Sequence, residues 1–137
     1  PISLPACPLM HGTGMWLGSF LPMMMGGTVV TTSKLGLDPH LLLSMVEQHK
    51  VSSLVIVGDA FAKPILSALD EAQSRGTPYD VSSLQGIVSS GVMWSMETKQ
   101  GLLRHQDLIF IGPYGFNRGW NGKLHHYAGG NQPNGKI

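Results

Sequence analysis

Short apolar runs alternate along the chain with segments whose apolar residues recur at helical spacing. Residues 54–57 are continuously apolar, as expected of a strand buried on both faces of a parallel sheet. A helix is predicted after Asp38-Pro39, where an N-cap residue precedes a proline at the first helical position. Residues 28–32 and 107–111 are predicted as two further strands, the second of them buried.

Residues 84–105 are predicted to run from a buried strand through a turn of small residues into a helix with Ser95 as its N-cap. The residues of this helix expected to face inward are Met96, Leu102 and Leu103. In an open α/β sheet, ligands bind where the carboxyl ends of strands meet helix N-termini. The alternative is an ordinary turn in which Gly91 is present only for its backbone freedom.

Two more segments have helical spacing. Residues 16–24 are predicted to form a short buried helix that ends at Gly26-Gly27, and residues 61–72 form a striped helix with Pro64 in its first turn. Strands that alternate with helices imply right-handed crossovers. The predicted fold is therefore α/β, with a three-layer, largely parallel sheet and helices on both faces.

The chain changes character after residue 111. Residues 112–137 contain seven glycines and four asparagines and few aliphatic side chains, so they can build little core of their own. We predict an α/β part over residues 1–111 and an atypical tail over residues 112–137. This tail is either a loop on the ligand side, supported from elsewhere, or disordered.

The composition of the 137 residues argues against several classes of function. A net charge of +1 with scattered Lys and Arg disfavours nucleic-acid binding. Cys7 is the only cysteine, which excludes an internal disulfide and indicates a reducing, cytoplasmic setting. No apolar window is long enough for a membrane span. Because the chain begins at Pro1 without an initiator Met, we expect a fragment of a longer polypeptide.

Two chemical motifs fail their spacing tests. The segment around Gly122-Lys123 looks like a phosphate loop, but Asn117 stands where the earlier glycine is required. His125-His126 are adjacent, and no Cys, Asp or Glu follows them, so no metal site is predicted there.

Four stretches carry a more specific pattern: PLMHGTGMW (8–16), VIVGDAFAKPIL (55–66), LQGIVSSGVMWS (84–95) and PYG (113–115). In this order they resemble the middle of the adenylate-forming enzymes, specifically the fatty-acyl-CoA synthetases. Enzymes of that family activate a carboxylic acid with ATP and Mg²⁺ to an acyl-adenylate, and then transfer the acyl group to coenzyme A. The resemblance implies a central fragment of the large N-terminal domain.

By this resemblance, adenine would lie between a backbone wall and an aromatic ring. The wall would consist of Ser90, Gly91, Val92 and Met93. Tyr114 would stack across it, and Gly115 would let the chain pass close by. His11 would lie next to the acyl carboxyl as the candidate catalytic residue. The acyl tunnel would be lined by Gly12, Thr13, Val57, Gly58 and Phe61. The alternatives are that His11 is a hydrogen-bonded core residue and that Tyr114 packs at a strand end.

The chain also departs from the family pattern. Family members follow Tyr-Gly with Thr or Ser and a Glu that holds Mg²⁺, whereas this chain has Phe116, Asn117 and Arg118. A guanidinium repels a cation, which argues against Mg²⁺ at that point. The upstream phosphate loop and the C-terminal catalytic Lys of the family have no counterpart here. We therefore expect no ligase activity from this chain alone.

The leading hypothesis is a fragment of an ATP-dependent acyl-CoA synthetase whose parent takes a carboxylic (fatty) acid as its small-molecule substrate, with ATP, coenzyme A and Mg²⁺. The alternative is a non-catalytic α/β binding or assembly module, whose exposed sheet edges meet a partner or a second copy of the chain. A third reading, a flavodoxin-like cofactor binder, has little motif support.

Overall fold

The computed structural model describes residues 1–90, 94–112, 115–120 and 123–127. The strands in these ranges are β1 Ile2–Pro5, β2 Thr28–Val29, β3 Ser53–Ile56, β4 Gly86–Ser89, β5 Ile109–Gly112, β6 Gly115–Trp120 and β7 Lys123–Tyr127. The helices are a π-helix, π1, over Thr13–Phe20, and the α-helices α1 Leu21–Met24, α2 Pro39–His49, α3 Asp59–Ser74 and α4 Met96–Leu103.

The strands form one sheet in the order β2-β1-β3-β4-β5-β6-β7. Neighbours from β2 to β5 pair in parallel, while β6 and β7 are added antiparallel. The register aligns Leu4, Leu54, Ile87 and Phe110 in one row, and each of them is at most 1% exposed. The predicted α/β fold with a largely parallel sheet is confirmed.

The two faces of the sheet carry different helices. The aligned apolar row packs into one core cluster with α2, α3 and α4. On the opposite face, Ser3 Oγ donates a hydrogen bond to the Gly18 carbonyl of π1 at 3.1 Å. After β1 the chain crosses to β2 on one side, and it later returns past β1 to β3, so the strand order reverses between β1 and β3. Ligands of open α/β sheets bind outside the carboxyl ends of strands at such a reversal.

The helix caps read from the sequence are confirmed. Asp38 accepts a hydrogen bond from the Leu41 backbone N–H at 3.2 Å, and Pro39 is the first residue of α2. Ser95 accepts one from the Thr98 N–H at 3.3 Å at the start of α4. These side chains replace partners that the first turn of a helix lacks.

The prediction of a buried helix over residues 16–24 is wrong about its inner face. Trp16 is 59% exposed and Met24 is 83% exposed, whereas Gly14 and Gly18 are buried. A Cβ on Gly18 would lie 2.6 Å from Pro5 Cβ, so glycine lets π1 approach β1 closely. The small residues therefore take the inner face, and the large apolar residues point outward.

Three other residues predicted to be buried are exposed: Met96 at 56%, Ile109 at 37% and Ile111 at 46%. The two isoleucines flank Phe110 and point to the sheet face opposite α2, α3 and α4. On that face, among the described residues, π1 covers β1 and β3, and β5 is left uncovered. Leu102 and Leu103 are buried as predicted.

Smaller differences concern element bounds. α3 begins at Asp59, directly after Gly58, so Pro64 lies inside the helix beyond its first turn. β2 ends at Val29, and its two residues pair with Ile2 and Ser3 of β1. Val57 follows β3 rather than belonging to it.

Part of the segment expected to be a loop or disordered forms strands. β6 pairs with β5, and β7 pairs with β6, in antiparallel register. Cross-strand backbone hydrogen bonds can extend a sheet without a large aliphatic contribution, which residue composition alone does not indicate. The division of the chain at residue 111 stays a prediction.

Candidate functional site

The predicted site residues that the structure describes lie mostly along one edge of the sheet. β1, β3 and β4 are parallel neighbours, so the connections that follow them leave from the same edge. The residues on these connections are His11 and Gly12 after β1, Val57 and Gly58 after β3, and Ser90 after β4, with Thr13 opening π1. This edge contains the strand reversal described above, and we call it the carboxyl edge.

His11 lies in the turn before π1, and its side chain is exposed. The backbone N–H of Thr13 donates to His11 Nδ1 at 3.3 Å. An imidazole that accepts at Nδ1 carries its ring proton on Nε2. The structure thus corrects the alternative in which His11 is a core residue, and it presents an N–H donor suited to a carboxylate oxygen.

The turn that carries His11 is held by close packing of π1 against the segment before it. The His11 N–H donates to the Pro8 carbonyl at 3.0 Å. A Cβ on Gly14 would lie 2.4 Å from that same carbonyl oxygen. Gly14 is therefore required for the distance between π1 and the turn. Gly12 has open space around it.

Gly58 stands between β3 and α3 with φ +63° and ψ −162°. This region of backbone conformation is open to glycine and to almost no other residue. Its N–H donates to Ser89 Oγ at 2.9 Å in a buried hydrogen bond, and its carbonyl accepts from the Phe61 N–H at 3.2 Å. Phe61 is partly buried and packs against the hydrophobic core, and its role in the acyl tunnel stays a prediction.

Several residues at this edge were missed by sequence reasoning. Asp59 Oδ1 accepts from the Ser95 backbone N–H at 3.0 Å, which joins the start of α3 to the start of α4. Both this bond and the Ser89–Gly58 bond connect residues more than thirty positions apart. The serines after β4 were the available signal, but their partners follow only from the strand order.

Trp94 is a second missed feature. Its ring is 5% exposed and packs edge-to-face on Phe110 at 5.1 Å between ring centroids. Lys99 Nζ lies 5.1 Å from the Trp94 ring centroid, a distance suited to a cation–π contact. Burial lowers the pKa of Lys99, and the nearby charge of Asp59 opposes that shift. Within the described ranges, no acceptor lies in hydrogen-bond range of the buried Trp94 Nε1.

The other half of the predicted adenine slot lies outside the described residues. This applies to Gly91, Val92, Met93 and Tyr114. Gly115 opens β6 and pairs with Gly112 of β5. The proposed roles of these residues stay predictions.

The residues present do not fit a Mg²⁺ site. Arg118 lies on β6 opposite Ile109 and is exposed. Over residues 1–90, 94–112, 115–120 and 123–127, no group of three or more His, Cys, Asp or Glu side chains is placed to hold a metal ion.

A separate cavity of about 350 Å³ lies between α2, α3 and the loop after α3. Its lining residues are His40, Glu47, Ala72, Arg75, Thr77, Pro78 and Tyr79. His40 Nδ1 is 2.8 Å from the Tyr79 hydroxyl, and His40 Nε2 is 3.2 Å from Glu71 Oε2. The first bond ties α2 to the loop after α3, and the second ties α2 to α3. None of the predicted site residues lines this cavity.

In the described part of the chain, no helix has the length and apolar character needed to cross a membrane.

Sequence comparison finds relatives among CoA ligases. The chain is 33% identical over 103 residues to 3-oxocholest-4-en-26-oate–CoA ligase of Rhodococcus rhodochrous, covering 74% of this chain and 18% of that protein. It is 30% identical over 105 residues to the probable CoA ligase CCL5 of Humulus lupulus, with 76% and 18% covered. The chain thus spans about one fifth of the length of these relatives. No model of a protein family matches it.

Solved structures show the same fold. A long-chain-fatty-acid–CoA ligase from Archaeoglobus fulgidus superposes with a TM-score of 0.65 at 16% identity, over 81% of this chain and 23% of that one. The luciferase-like enzyme of the mealworm Zophobas morio gives a TM-score of 0.61 at 20% identity, over 85% and 27%. By its sequence similarity, the chain is related to a segment of the CoA ligases.

Proposed function

We propose that this chain is a segment of an ATP-dependent acyl-CoA synthetase, one that activates a carboxylic acid as an acyl-adenylate and transfers it to coenzyme A. The observation that carries the proposal is the similarity to CoA ligases over about three quarters of the chain. The strand reversal supports it, because it brings His11 and Gly58 to the edge of the sheet where such ligands bind.

In this proposal the residues of the carboxyl edge bind and orient the two substrates. His11 donates its Nε2–H to one oxygen of the carboxylic acid, and the backbone around Val57 and Gly58 borders the acyl group. The segment that begins at Ser90 forms the adenine wall, and Tyr114 stacks on the base. ATP supplies the adenylate and coenzyme A the accepting thiol. In the parent enzyme, residues other than Arg118 would hold Mg²⁺. We also propose a cytoplasmic location, which the single cysteine supports.

The proposal is tested by calorimetry on the purified chain with AMP, ATP and a non-hydrolysable acyl-adenylate analogue. We expect weak binding, with the analogue bound more tightly than AMP, and no pyrophosphate release from ATP and a fatty acid. His11→Ala should weaken binding of the analogue about 5- to 10-fold, because it removes one hydrogen bond to the neutral acyl carbonyl, and should leave AMP binding unchanged. His49→Ala is the matched control, because His49 is exposed at the end of α2.

If the chain binds none of the three ligands, the proposal is contradicted and the assembly module is favoured. Light scattering then measures whether the chain associates with itself. Release of pyrophosphate contradicts the expectation that this chain alone is inactive.

A further inference from the structure

Two long-range hydrogen bonds tie the turn after β3 to both ends of the connection after β4. Gly58 N–H donates to Ser89 Oγ at 2.9 Å, and Ser95 N–H donates to Asp59 Oδ1 at 3.0 Å. Gly58 and Asp59 are consecutive, whereas Ser89 ends β4 and Ser95 caps α4. Two consecutive residues thus bond to Ser89 and Ser95, which flank this connection, and we call these four residues the clasp.

The Gly58–Ser89 link is buried and has little freedom. Ser89 is 2% exposed, and its Cα is in register with Ile56 of β3. Gly58 holds a backbone conformation that only glycine adopts readily. An unpaired buried N–H costs about 1–3 kcal/mol. The hydrogen bond to Ser89 Oγ therefore stabilises the position of the turn.

The second link places one carboxylate at two helix N-termini. Asp59 is in the first turn of α3, and its Oδ1 also accepts from the Ser95 N–H and lies 3.4 Å from Ser95 Oγ. Negative charge is favourable at both positive helix ends. Lys63 Nζ lies 3.8 Å from the other carboxylate oxygen of Asp59. The start of α4 therefore cannot shift without breaking a charge-assisted bond to the turn after β3.

We propose that the clasp couples the binding of the carboxylic acid to the binding of the nucleotide, with Ser89 and Asp59 as positioning residues. This inference rests on the proposed function, because it takes the turn after β3 as the acyl side and the connection after β4 as the adenine side. A ligand that fixes either side restricts the other through the two bonds. Acid and nucleotide each raise the affinity for the other by the same factor.

The first test needs no ligand and measures amide hydrogen exchange at Gly58 and Ser95. Ser89→Ala removes the acceptor of Gly58 N–H, so exchange at Gly58 rises about 10-fold or more. If the clasp acts as one unit, exchange at Ser95 rises with it. Ser83→Ala is the matched control, since Ser83 Oγ also bonds a backbone group, the Val51 carbonyl at 2.9 Å, outside the clasp. It should change neither amide.

The second test measures the coupling itself. AMP affinity is determined by calorimetry with and without saturating decanoate, and the ratio of the two values is the coupling factor. We expect a factor of about 5 or more for the native chain and a factor near 1 for Ser89→Ala. Asp59→Asn, on a partly exposed side chain, is the second variant should Ser89→Ala fold poorly. A merely structural role for these residues would lower stability and leave the factor unchanged.

Independent exchange at Gly58 and Ser95 overturns the clasp whatever the ligands do. An unchanged coupling factor in a folded variant overturns the positioning roles while the proposed function stands. If the native chain binds neither AMP nor decanoate, the proposed function fails and the coupling fails with it. Linked exchange then shows the clasp as a property of the fold alone.

Discussion

Gly14→Ala tests whether the close packing of π1 against the preceding segment requires glycine at this position. Gly12→Ala, two residues away, is the matched control for stability. A methyl group on Gly14 would lie 2.4 Å from the Pro8 carbonyl oxygen and 3.2 Å from the Cys7 carbonyl oxygen. Both obstacles are backbone atoms, so no side-chain rotation relieves the clash. Gly12 has nothing within 4 Å of the added Cβ and has φ −53° and ψ −38°, which alanine adopts freely.

The expected magnitudes follow from these distances. Overpacking costs about 1–3 kcal/mol, and Gly14→Ala belongs at the upper end because backbone must move. Gly12→Ala should remain within about 1 kcal/mol of the native chain, since it loses unfolded-state freedom without strain. For a chain of this length, the difference in free energy of unfolding between the two variants places the Tm of Gly14→Ala below that of Gly12→Ala by on the order of 5 to 10 °C. Urea unfolding followed by circular dichroism gives both free energies.

The same displacement reaches the candidate site. The carbonyl that meets the new methyl group also accepts the His11 N–H at 3.0 Å, so moving it moves the His11 turn. Gly14→Ala should therefore weaken binding of the acyl-adenylate analogue under conditions where the variant is still folded. Equal stability of the two variants would refute the conclusion that the packing of π1 requires glycine at position 14.

Three predictions concern titratable groups. Burial raises the pKa of the Cys7 thiol, so a thiol reagent should label Cys7 only in denaturant. The free energy of unfolding should fall as pH rises through that raised pKa, and Cys7→Ala should not show this fall. Hydrogen bonds from Lys34 and the Leu41 N–H lower the pKa of Asp38, so Asp38→Ala should destabilise the chain at neutral pH, with the gap closing as pH falls through the lowered pKa. Burial lowers the pKa of Lys99, so the native chain should gain stability relative to Lys99→Met as pH rises through that pKa; a constant gap in urea unfolding at several pH values would contradict this.

The elements that the sequence predicted well are those set by local chemistry and a single buried face. The Asp38 cap and Pro39 fix the start of α2 without reference to the rest of the molecule. The apolar run in β3 indicates burial on both faces, because parallel strands lie between two helical layers. Such signals are contained in a few neighbouring residues.

What the sequence could not show depends on which element packs on which. Helical spacing in residues 16–24 is real, but periodicity alone does not say which stripe faces inward, and here Gly14 and Gly18 do. The exposure of Ile109 and Ile111 depends on how far π1 extends over the sheet. A local pattern contains neither fact.

The same limit explains why His11 was predicted and the clasp was not. An imidazole among small residues stands out in a short motif, whereas Ser89 gains its role only from a glycine thirty-one positions earlier. The carboxyl edge also contains features that a simple connection between a strand and a helix does not need. Gly58 holds an unusual conformation, Ser89 buries a hydroxyl, and Asp59 is shared between two helices. A turn needed only to connect β3 to α3 requires none of these features. The proposed function accounts for their concentration at the strand reversal, because ligands of open α/β sheets bind there.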